Sequence, residues 1–596
     1  MNVGDHKEGE YPLGNLLRLL RSERDENIAL GLEILSGVPD ASVALTDLLA
    51  LGYFSRDATL RRKAAGLFQM AAPKRLRREL EEELDPALFP GKALADWYRR
   101  VRRKQSMDAI VLAQYLYRLR DLGLDFLLRY GIEDPAEFAA KYAIDGALKL
   151  NSMGLHDVPD NLAEMEQVLR LDLSDNALTS LDSKICRLET LEALDLSRNQ
   201  IEKLSPTMGR LERLRNLDLS SNRISRLSPG ISKLQALLSL DLSDNTLDEL
   251  PNFMTEVPHL QSLNLSRNRI PSLPSAIGQM AGLQFLALDR NQLRRVPVEI
   301  CELSELQELH LFGNPIEQLP EGIGRMKNLE AILLNGTKLQ SLPASIGDLK
   351  NLRTLELTDC QLRELPVQIG GLQHLERLLL GKNRIVQLPA SIAELDELAQ
   401  LDLSLNYFKE LPSSLGKLAK LERLDISGNN MAILPAAICG ASQINYLSAS
   451  RNRLQELPED IGQMSLLSDL YLAGNQLQSL PKSITKLQRM RWLDLSDNQF
   501  VAFPQEIQEL RNLEVLAFHG NSKLESGMDL TALNRLRELS IGYMRGQVMD
   551  AFVGQLRAMP QMRRLRLHLP KSVDATEREA LVQRLPGLAV EFINGK

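Results

Sequence analysis

The stretch 168–178, VLRLDLSDNAL, decides the fold of this chain. Apolar residues stand at its first, fourth, sixth and eleventh positions, and asparagine stands at its ninth. The pattern returns 23 residues later in 191–201 and again in 214–224. It continues through sixteen copies without an insertion, with Thr337 and Cys360 at the ninth position in two of them. The other fourteen copies carry asparagine there: Asn176, Asn199, Asn222, Asn245, Asn268, Asn291, Asn314, Asn383, Asn406, Asn429, Asn452, Asn475, Asn498 and Asn521.

Each copy has two halves with different structural signals. The first half alternates apolar and polar residues, which predicts a short strand. The asparagine amide is expected to bond backbone groups in the turn that follows. The second half reads LPxxIGxLxx, and its proline suits the start of a short helix or helical turn on the outer face. Twelve successive copies share this proline: Pro251, Pro274, Pro297, Pro320, Pro343, Pro366, Pro389, Pro412, Pro435, Pro458, Pro481 and Pro504.

This 23-residue pattern resembles the leucine-rich repeat over about 145–570. The LPxxIGxL variant is similar to the cytoplasmic subclass, which includes Shoc-type Ras scaffolds, plant intracellular Ras-group-related proteins and many bacterial repeat proteins. The resemblance implies an α/β solenoid, a horseshoe with a parallel concave sheet that binds proteins. An all-α N-terminal domain outside the family pattern is predicted to precede it.

Three parts are predicted along the chain. Residues 144–570 form the solenoid of about 18 repeats, the last two degenerate, and 571–596 form a C-terminal cap. The end of the chain is predicted to hold a helix in 546–559, a strand in 562–570, a helix near 575–585 and an edge strand in 589–593. Residues 1–143 form a helical domain of HEAT-like pairs that covers the first strand, which would otherwise be an exposed edge. Its predicted helices are 13–23, 26–35, 42–51, 59–71, 75–84, 93–118 and 135–142.

Two basic clusters in the N-terminal part have two interpretations. An acidic partner or an anionic membrane surface would account for them, but so would a solvated helix face balanced by the nearby glutamates. The clusters are Lys74, Arg75, Arg77 and Arg78, and then Arg99, Arg100, Arg102, Arg103 and Lys104.

Composition and charge exclude several classes. The net charge of −7 gives no global case for nucleic-acid binding. No run approaches 18 apolar residues, and the start of the chain lacks a secretory signal, so stable membrane insertion is not predicted. The four scattered cysteines are expected to be small buried side chains, and the lack of disulfide clusters favours the cytoplasm. The oligomeric state is left open.

No motif in the chain predicts catalysis or a cofactor. The phosphate-loop, dinucleotide-binding, zinc-protease and serine-hydrolase patterns are missing, and no cysteines stand at metal-ligand spacing. A carboxylate–His–Ser arrangement on the sheet is conceivable, but aspartate and serine there are repeat consensus. A ubiquitin-ligase-like effector is a weak alternative, since nothing outside the repeats resembles a ligase domain. We therefore predict that the protein is not an enzyme.

The candidate binding residues lie in copies whose strand residues depart from the usual repeat pattern. Positions three, five, seven and eight should face the inner surface or its rim, because alternate residues point to opposite sides. The early copies carry a uniform Asp/Ser pattern, whereas later copies place apolar and aromatic residues there. Such residues are typical of interfaces, although packing against neighbouring strands would also explain them. The predicted partner-binding set is Phe285, Arg290, His310, Phe312, Leu333, Leu379, Tyr407, Tyr446, Tyr471, Trp492 and His519.

These observations favour a non-catalytic scaffold or recognition protein that binds a protein partner on the concave face, in intracellular signalling. The alternative is a regulatory subunit whose helical domain docks an enzyme while the repeats sense a ligand.

Overall fold

The computed structural model describes residues 16, 19–20, 25–36, 44–55, 57–74, 146–158, 162, 167–181, 183–521, 528–544, 547–570 and 573–594. The chain divides into two compact units, Met1–Asn268 and Arg269–Lys596.

Three described helices precede the repeats. They are α1 (Asp25–Ser36), α2 (Leu45–Phe54) and α3 (Ala58–Ala71). They confirm the helices predicted at 26–35, 42–51 and 59–71, with ends shifted by up to three residues. Asp57 caps α3, since its carboxylate accepts the N–H groups of Thr59 and Leu60 at 2.6 and 2.8 Å. The helices predicted at 75–84, 93–118 and 135–142, and the basic clusters beyond Lys74, lie outside the described residues.

The first half of each repeat forms a three-residue strand, as predicted. The strands of Met1–Asn268 are β1 (Ala147–Lys149), β2 (Arg170–Asp172), β3 (Ser180–Leu181), β4 (Ala193–Asp195), β5 (Lys203–Leu204), β6 (Asn216–Asp218), β7 (Ser239–Asp241) and β8 (Ser262–Asn264). Strands β3 and β5 pair with each other in a separate small sheet. The others form a parallel ladder in which paired residues are one repeat apart, as Leu171 and Leu194 are.

The ladder of the second unit follows the same register. Its strands are β9 (Phe285–Ala287), β10 (Glu308–His310), β11 (Ala331–Leu333), β12 (Thr354–Glu356), β13 (Arg377–Leu379), β14 (Gln400–Asp402), β15 (Arg423–Asp425), β16 (Tyr446–Ser448), β17 (Asp469–Tyr471), β18 (Trp492–Asp494), β19 (Val515–Ala517), β20 (Glu538–Gly542), β21 (Arg564–Leu569) and β22 (Ala589–Asn594). Each neighbouring pair is parallel, which confirms the predicted α/β repeat architecture.

The second half forms a short 3₁₀ helix in fifteen of the sixteen registered copies, as far as the structure describes them. These helices are Ile185–Arg187, Pro206–Arg210, Pro229–Lys233, Asn252–Glu256, Ser275–Gln279, Val298–Glu302, Glu321–Arg325, Ala344–Asp348, Val367–Gly371, Ala390–Glu394, Ser413–Lys417, Ala436–Gly440, Glu459–Gln463, Lys482–Lys486 and Gln505–Glu509.

The twelve shared prolines were predicted to begin the helices, but each lies one residue before its helix begins. Pro274, for example, has φ −69° and ψ 150°, which is extended, and its carbonyl accepts the Ile277 N–H at 3.1 Å. A fixed φ near −65° fits an extended residue as well as a helical one, so proline alone does not distinguish the two positions. Pro206 and Pro229, outside that set of twelve, do begin their helices, after Ser205 and Ser228.

The core contains the leucines of each repeat and the asparagine of the ninth position. Asn268 is 7% exposed, and its side chain makes four hydrogen bonds to the backbone. Its Nδ2 donates to the carbonyls of Leu242 and Leu265 at 2.9 and 3.0 Å. Its Oδ1 accepts the Leu247 N–H at 2.9 Å. The predicted role of the asparagine is confirmed: it satisfies buried backbone groups of its own turn and of the preceding repeat.

The turn before the asparagine has a conformation that the sequence did not predict. The eighth position has positive φ in all sixteen registered copies: Asp175, Arg198, Ser221, Asp244, Arg267, Arg290, Gly313, Gly336, Asp359, Lys382, Leu405, Gly428, Arg451, Gly474, Asp497 and Gly520. Left-handed backbone is unfavourable for residues other than glycine. The turn therefore stores strain in eleven copies.

The last repeats are longer and carry α-helices. The helices α4 (Gln547–Arg557) and α5 (Ala575–Arg584) alternate with β21 and β22. These elements confirm the helix, strand, helix and edge strand that were predicted for the end of the chain.

Candidate functional site

The candidate site lies on the surface that we call the strand face, formed by the side chains at the third and fifth positions of the repeat. A buried leucine or isoleucine separates these two positions in each strand. In β10, for instance, Leu309 is buried while Glu308 is exposed and His310 is half-buried. Because the strands pair in register, the third and fifth positions each form a continuous row within a unit.

The early part of the strand face is uniform. The fifth position is aspartate in β2, β4, β6 and β7, and in β2 the Asp172 carboxylate accepts the Ser174 N–H and hydroxyl at 3.0 and 2.6 Å. Burial raises the pKa of Asp218, with smaller contributions from the Asp241 and Asp195 carboxylates. These aspartates are bonded within their own turn, so they offer a hydrated surface.

Five predicted residues lie on β9 to β11 and on the turns after β9 and β10, and we call them the phenylalanine cluster: Phe285, His310 and Leu333 on the strand face, and Arg290 and Phe312 in the turns. The rings of Phe285 and His310 meet edge to face, 5.0 Å between centroids. The Arg290 Cζ lies 5.3 Å from the centre of the Phe312 ring. Leu333 pairs directly opposite His310 in the sheet.

Polar contacts hold the phenylalanine cluster in place. The His310 Nε2 lies 3.1 Å from the Glu308 carboxylate. The Asp289 carboxylate accepts the Phe312 N–H at 2.7 Å. Burial raises the pKa of Asp289, although this hydrogen bond and the neighbouring His310 and Arg290 lower it. The cluster thus contains two pairs in contact, Phe285 with His310 and Phe312 with Arg290.

Leu379 does not join the phenylalanine cluster. Glu356 stands between Leu333 and Leu379 in the register of the sheet. Its carboxylate accepts a hydrogen bond from Asn335 at 2.7 Å and pairs with Arg377 at 3.3 Å. A charged network therefore separates Leu379 from the phenylalanine cluster.

A second group on β16 to β18 forms the tyrosine–tryptophan cluster: Tyr446, Tyr471 and Trp492. The centroid of Tyr471 lies 5.2 Å from that of Tyr446 and 5.8 Å from that of Trp492. All three side chains are half-buried. Burial raises the pKa of Tyr471 to about 12. Within the described residues, the buried Nε1 of Trp492 has no hydrogen-bond partner.

Arg423 belongs with this cluster, although the sequence reasoning missed it. Its Cζ lies 4.1 Å from the centre of the Tyr446 ring, within the range of a cation–π contact. The signal was available, because Arg423 occupies the third position of the preceding strand, directly opposite Tyr446.

Tyr407 was assigned to this surface, and the structure corrects that assignment. It occupies the tenth position of its repeat, outside β14, and is 53% exposed. Its N–H donates to the Ile385 carbonyl at 3.0 Å in the loop beyond the turn. The tenth position follows the left-handed turn, so its side chain is not part of the strand rows.

His519 also lies apart from the aromatic residues and pairs with a residue that was not predicted. Its ring stacks on His568 with 3.6 Å between centroids and 4° between planes. The Ser540 Oγ lies 3.1 Å from His519 Nδ1 and 3.0 Å from His568 Nε2. His568 was not predicted, because it lies beyond the regular copies, where the 23-residue pattern no longer assigns positions.

This histidine pair does not form a catalytic triad. Burial lowers the pKa of both imidazoles, that of His568 to about 4, and the neighbouring ring adds to the effect on His568. Within the described residues, neither imidazole is hydrogen-bonded to a carboxylate, which a triad requires. The pair is best described as two neutral rings that share one hydroxyl.

The four cysteines have buried side chains, as expected. Burial raises the pKa of Cys301 and of Cys439 to about 11, which makes both thiols poor nucleophiles. Cys360 takes the place of the asparagine, with its sulfur 3.1 Å from the Thr337 hydroxyl. In the part of the chain that the structure describes, no cluster of three or more His, Cys, Asp or Glu residues could hold a metal ion. Nor is any helix there long and apolar enough to cross a membrane.

Comparisons with known proteins agree with this geometry. A family model described as "Leucine-rich repeat region" matches residues 252–337, 331–406 and 467–591. Two further models, both described as leucine-rich repeats, match 212–270 and 187–203. The comparison with curated proteins found no match.

Two solved structures illustrate the likeness. A leucine-rich repeat protein of Leptospira interrogans is 34% identical, with a TM-score of 0.61, and the match covers 64% of this chain and 98% of that one. The Arabidopsis receptor kinase HAESA, solved with the peptide hormone IDA and the co-receptor SERK1, is 24% identical with a TM-score of 0.53. That match covers 73% of this chain and 76% of the receptor chain, and it concerns the fold alone.

Proposed function

Because the chain belongs to the leucine-rich repeat proteins, we propose that it is a non-catalytic scaffold or recognition protein. Its partner is a protein, bound on the strand face of the unit Arg269–Lys596. We further propose that this face is the concave one and that the protein acts in intracellular signalling, as the resemblance implies.

The observation that carries the proposal is the tyrosine–tryptophan cluster. Three aromatic side chains on consecutive strands are half-buried on the strand face, whose early repeats carry mostly aspartate and serine. Aspartate and serine rows give little net affinity, because their desolvation costs about as much as new pairing returns. Tryptophan, tyrosine and arginine dominate the binding energy of interfaces. A partner carbonyl would also satisfy the Trp492 N–H, which otherwise costs roughly 1–3 kcal/mol when buried without a bond.

The cytoplasm is the compartment that the cysteines favour. All four cysteines are buried and form no disulfide, as expected for a protein that folds under reducing conditions.

A capture experiment followed by binding measurements tests the proposal. The intact chain, the segment 144–596 and the segment 1–143 would each be used to capture proteins from the native cell. We expect the same partner with the first two baits. Capture by 1–143 alone would instead favour the regulatory subunit whose helical domain docks an enzyme.

Point variants then locate the surface. Trp492→Ala or Phe312→Ala should weaken binding of the captured partner by about thirtyfold, the effect of losing about 2 kcal/mol at a hot spot. Asp195→Ala on the uniform row is the control and should change little. Thermal unfolding of each variant confirms that folding is intact. Equal losses in all three would indicate diffuse binding, and no loss in either aromatic variant would exclude the strand face.

A further inference from the structure

A shallow depression of about 510 Å³ lies where β16 to β18 begin, beside the strand face. Seven of its eight lining residues are polar or basic, and the eighth is Leu466. The residues that matter here are Asn445, Ser468, Arg489, Arg491, Asn512 and Arg535. They come from four successive repeats, so the depression forms only when the copies stack in register.

The depression carries excess positive charge. Arg491 Nη2 lies 3.2 Å from the Glu514 carboxylate, which also contacts Arg537 at 3.5 Å. Among the described residues, no acidic side chain forms an ion pair with Arg489 or Arg535, and both are exposed. Guanidinium groups present a planar set of donors that matches a carboxylate in bidentate geometry.

The depression is continuous with the tyrosine–tryptophan cluster. The Ser468 carbonyl accepts the N–H groups of Arg491 and Trp492 at 2.8 and 3.0 Å, so one peptide joins the two surfaces. Asn445 likewise lines the depression directly before Tyr446. A bound segment that covers Trp492 would therefore reach the arginines within a few residues.

Charge is distributed unevenly across this combined surface. Asp469 and Asp494 lie on the strand face next to the aromatic rings, whereas the arginines lie at the start of the strands. Acidic groups of a ligand would be repelled by the aspartates and attracted to the arginines. The surface thus favours one orientation of an acidic ligand.

We propose that this surface recognises an acidic segment of a protein partner: an aromatic or aliphatic side chain packs on the cluster, and neighbouring carboxylates enter the depression. The inference rests on the proposed function, and it specifies the chemistry of the partner.

Selection from a random peptide library with the full chain tests this inference. Peptides whose binding is lost in Tyr471→Ala should share an apolar or aromatic residue with two or more nearby Asp or Glu residues. For a selected peptide, Arg489→Ala and Arg535→Ala should each weaken binding about fivefold, the effect of about 1 kcal/mol per ion pair. Arg384→Ala, an exposed arginine elsewhere on the unit, should leave binding unchanged.

A matched peptide with Asn and Gln in place of Asp and Glu separates the outcomes. It should bind the wild type and the double arginine variant equally weakly. Peptides that need Tyr471 but show no acidic preference would overturn the inference and leave the proposed function standing. A selection that yields no peptide dependent on Tyr471 would count against both.

Discussion

The asparagine of the ninth position is the residue on which each turn depends. Asn429 Nδ2 donates to the carbonyls of Leu403 and Ile426, both at 3.0 Å, and its Oδ1 accepts the Phe408 N–H at 3.0 Å. Asn429→Ala leaves the Phe408 N–H buried without a partner, while the two carbonyls keep the amides of Asn406 and Asn452 as donors. We expect a loss of about 1–3 kcal/mol in the free energy of unfolding. The neighbouring Asn430→Ala is the matched control, since its side chain makes no such bonds to the residues that the structure describes. Equal denaturation midpoints for the two variants would contradict this account.

The stacked histidines predict how stability depends on pH. The folded pKa of His568 is about 4, below the ordinary value, because burial and then the nearby His519 disfavour its charge. The unfolded chain therefore takes up this proton at a higher pH than the folded chain, and stability is lost as the pH falls from about 6.5 towards 4. His568→Gln should reduce the change of melting temperature with pH between about 6.5 and 4, as measured by circular dichroism. His259→Gln, at an exposed position, should keep the wild-type pH dependence. If the melting temperature changed equally with pH in the wild type and both variants, the histidine pair would not be the cause.

The left-handed turn is the element that the sequence reasoning could not predict. Strands, asparagines and prolines were predictable because the same residue types recur in register. The eighth position varies among Asp, Arg, Ser, Lys, Leu and Gly, since its neighbours rather than its own side chain impose the backbone. The five glycines there were the available signal.

Glycine should relieve that strain at one turn. Leu405 has φ 52° and is 45% exposed, so little packing offsets its backbone cost. We expect Leu405→Gly to raise the free energy of unfolding by up to about 1 kcal/mol, although the added freedom of the unfolded chain reduces the gain. Ser404→Gly, one residue earlier, should lower it. Urea denaturation measures both, and a destabilised Leu405→Gly would show that the turn is not strained.

The same register explains how far the candidate site was predictable. Phe285, His310, Tyr471 and Trp492 occupy third and fifth positions, so the period of the strand placed them on one face. Their mutual contacts required the structure, because diagonal neighbours depend on side-chain rotamers. Tyr407 failed the prediction because it lies beyond the turn.

At the scale of the whole molecule, the role of residues 1–143 is a prediction. Their removal should leave β1 with an uncovered flank, causing aggregation or fraying of the first repeats. Hydrogen exchange in 146–181 and size-exclusion chromatography of the segment 144–596 would measure both effects. A monomeric product with unchanged melting would show that the segment is not a cap, and its function would then be binding.

The reach of each asparagine has a consequence for how such a chain can change length. Asn406, for example, bonds Leu380 and Ile385, both in the copy directly before its own, and no further back. Loss or duplication of any 23 consecutive residues in the regular region would restore every one of these contacts with a new neighbour. A change of one or two residues would break them. Unequal recombination between copies can therefore lengthen or shorten this protein in whole units, and an event between the phenylalanine and tyrosine–tryptophan clusters moves them one strand closer or further apart.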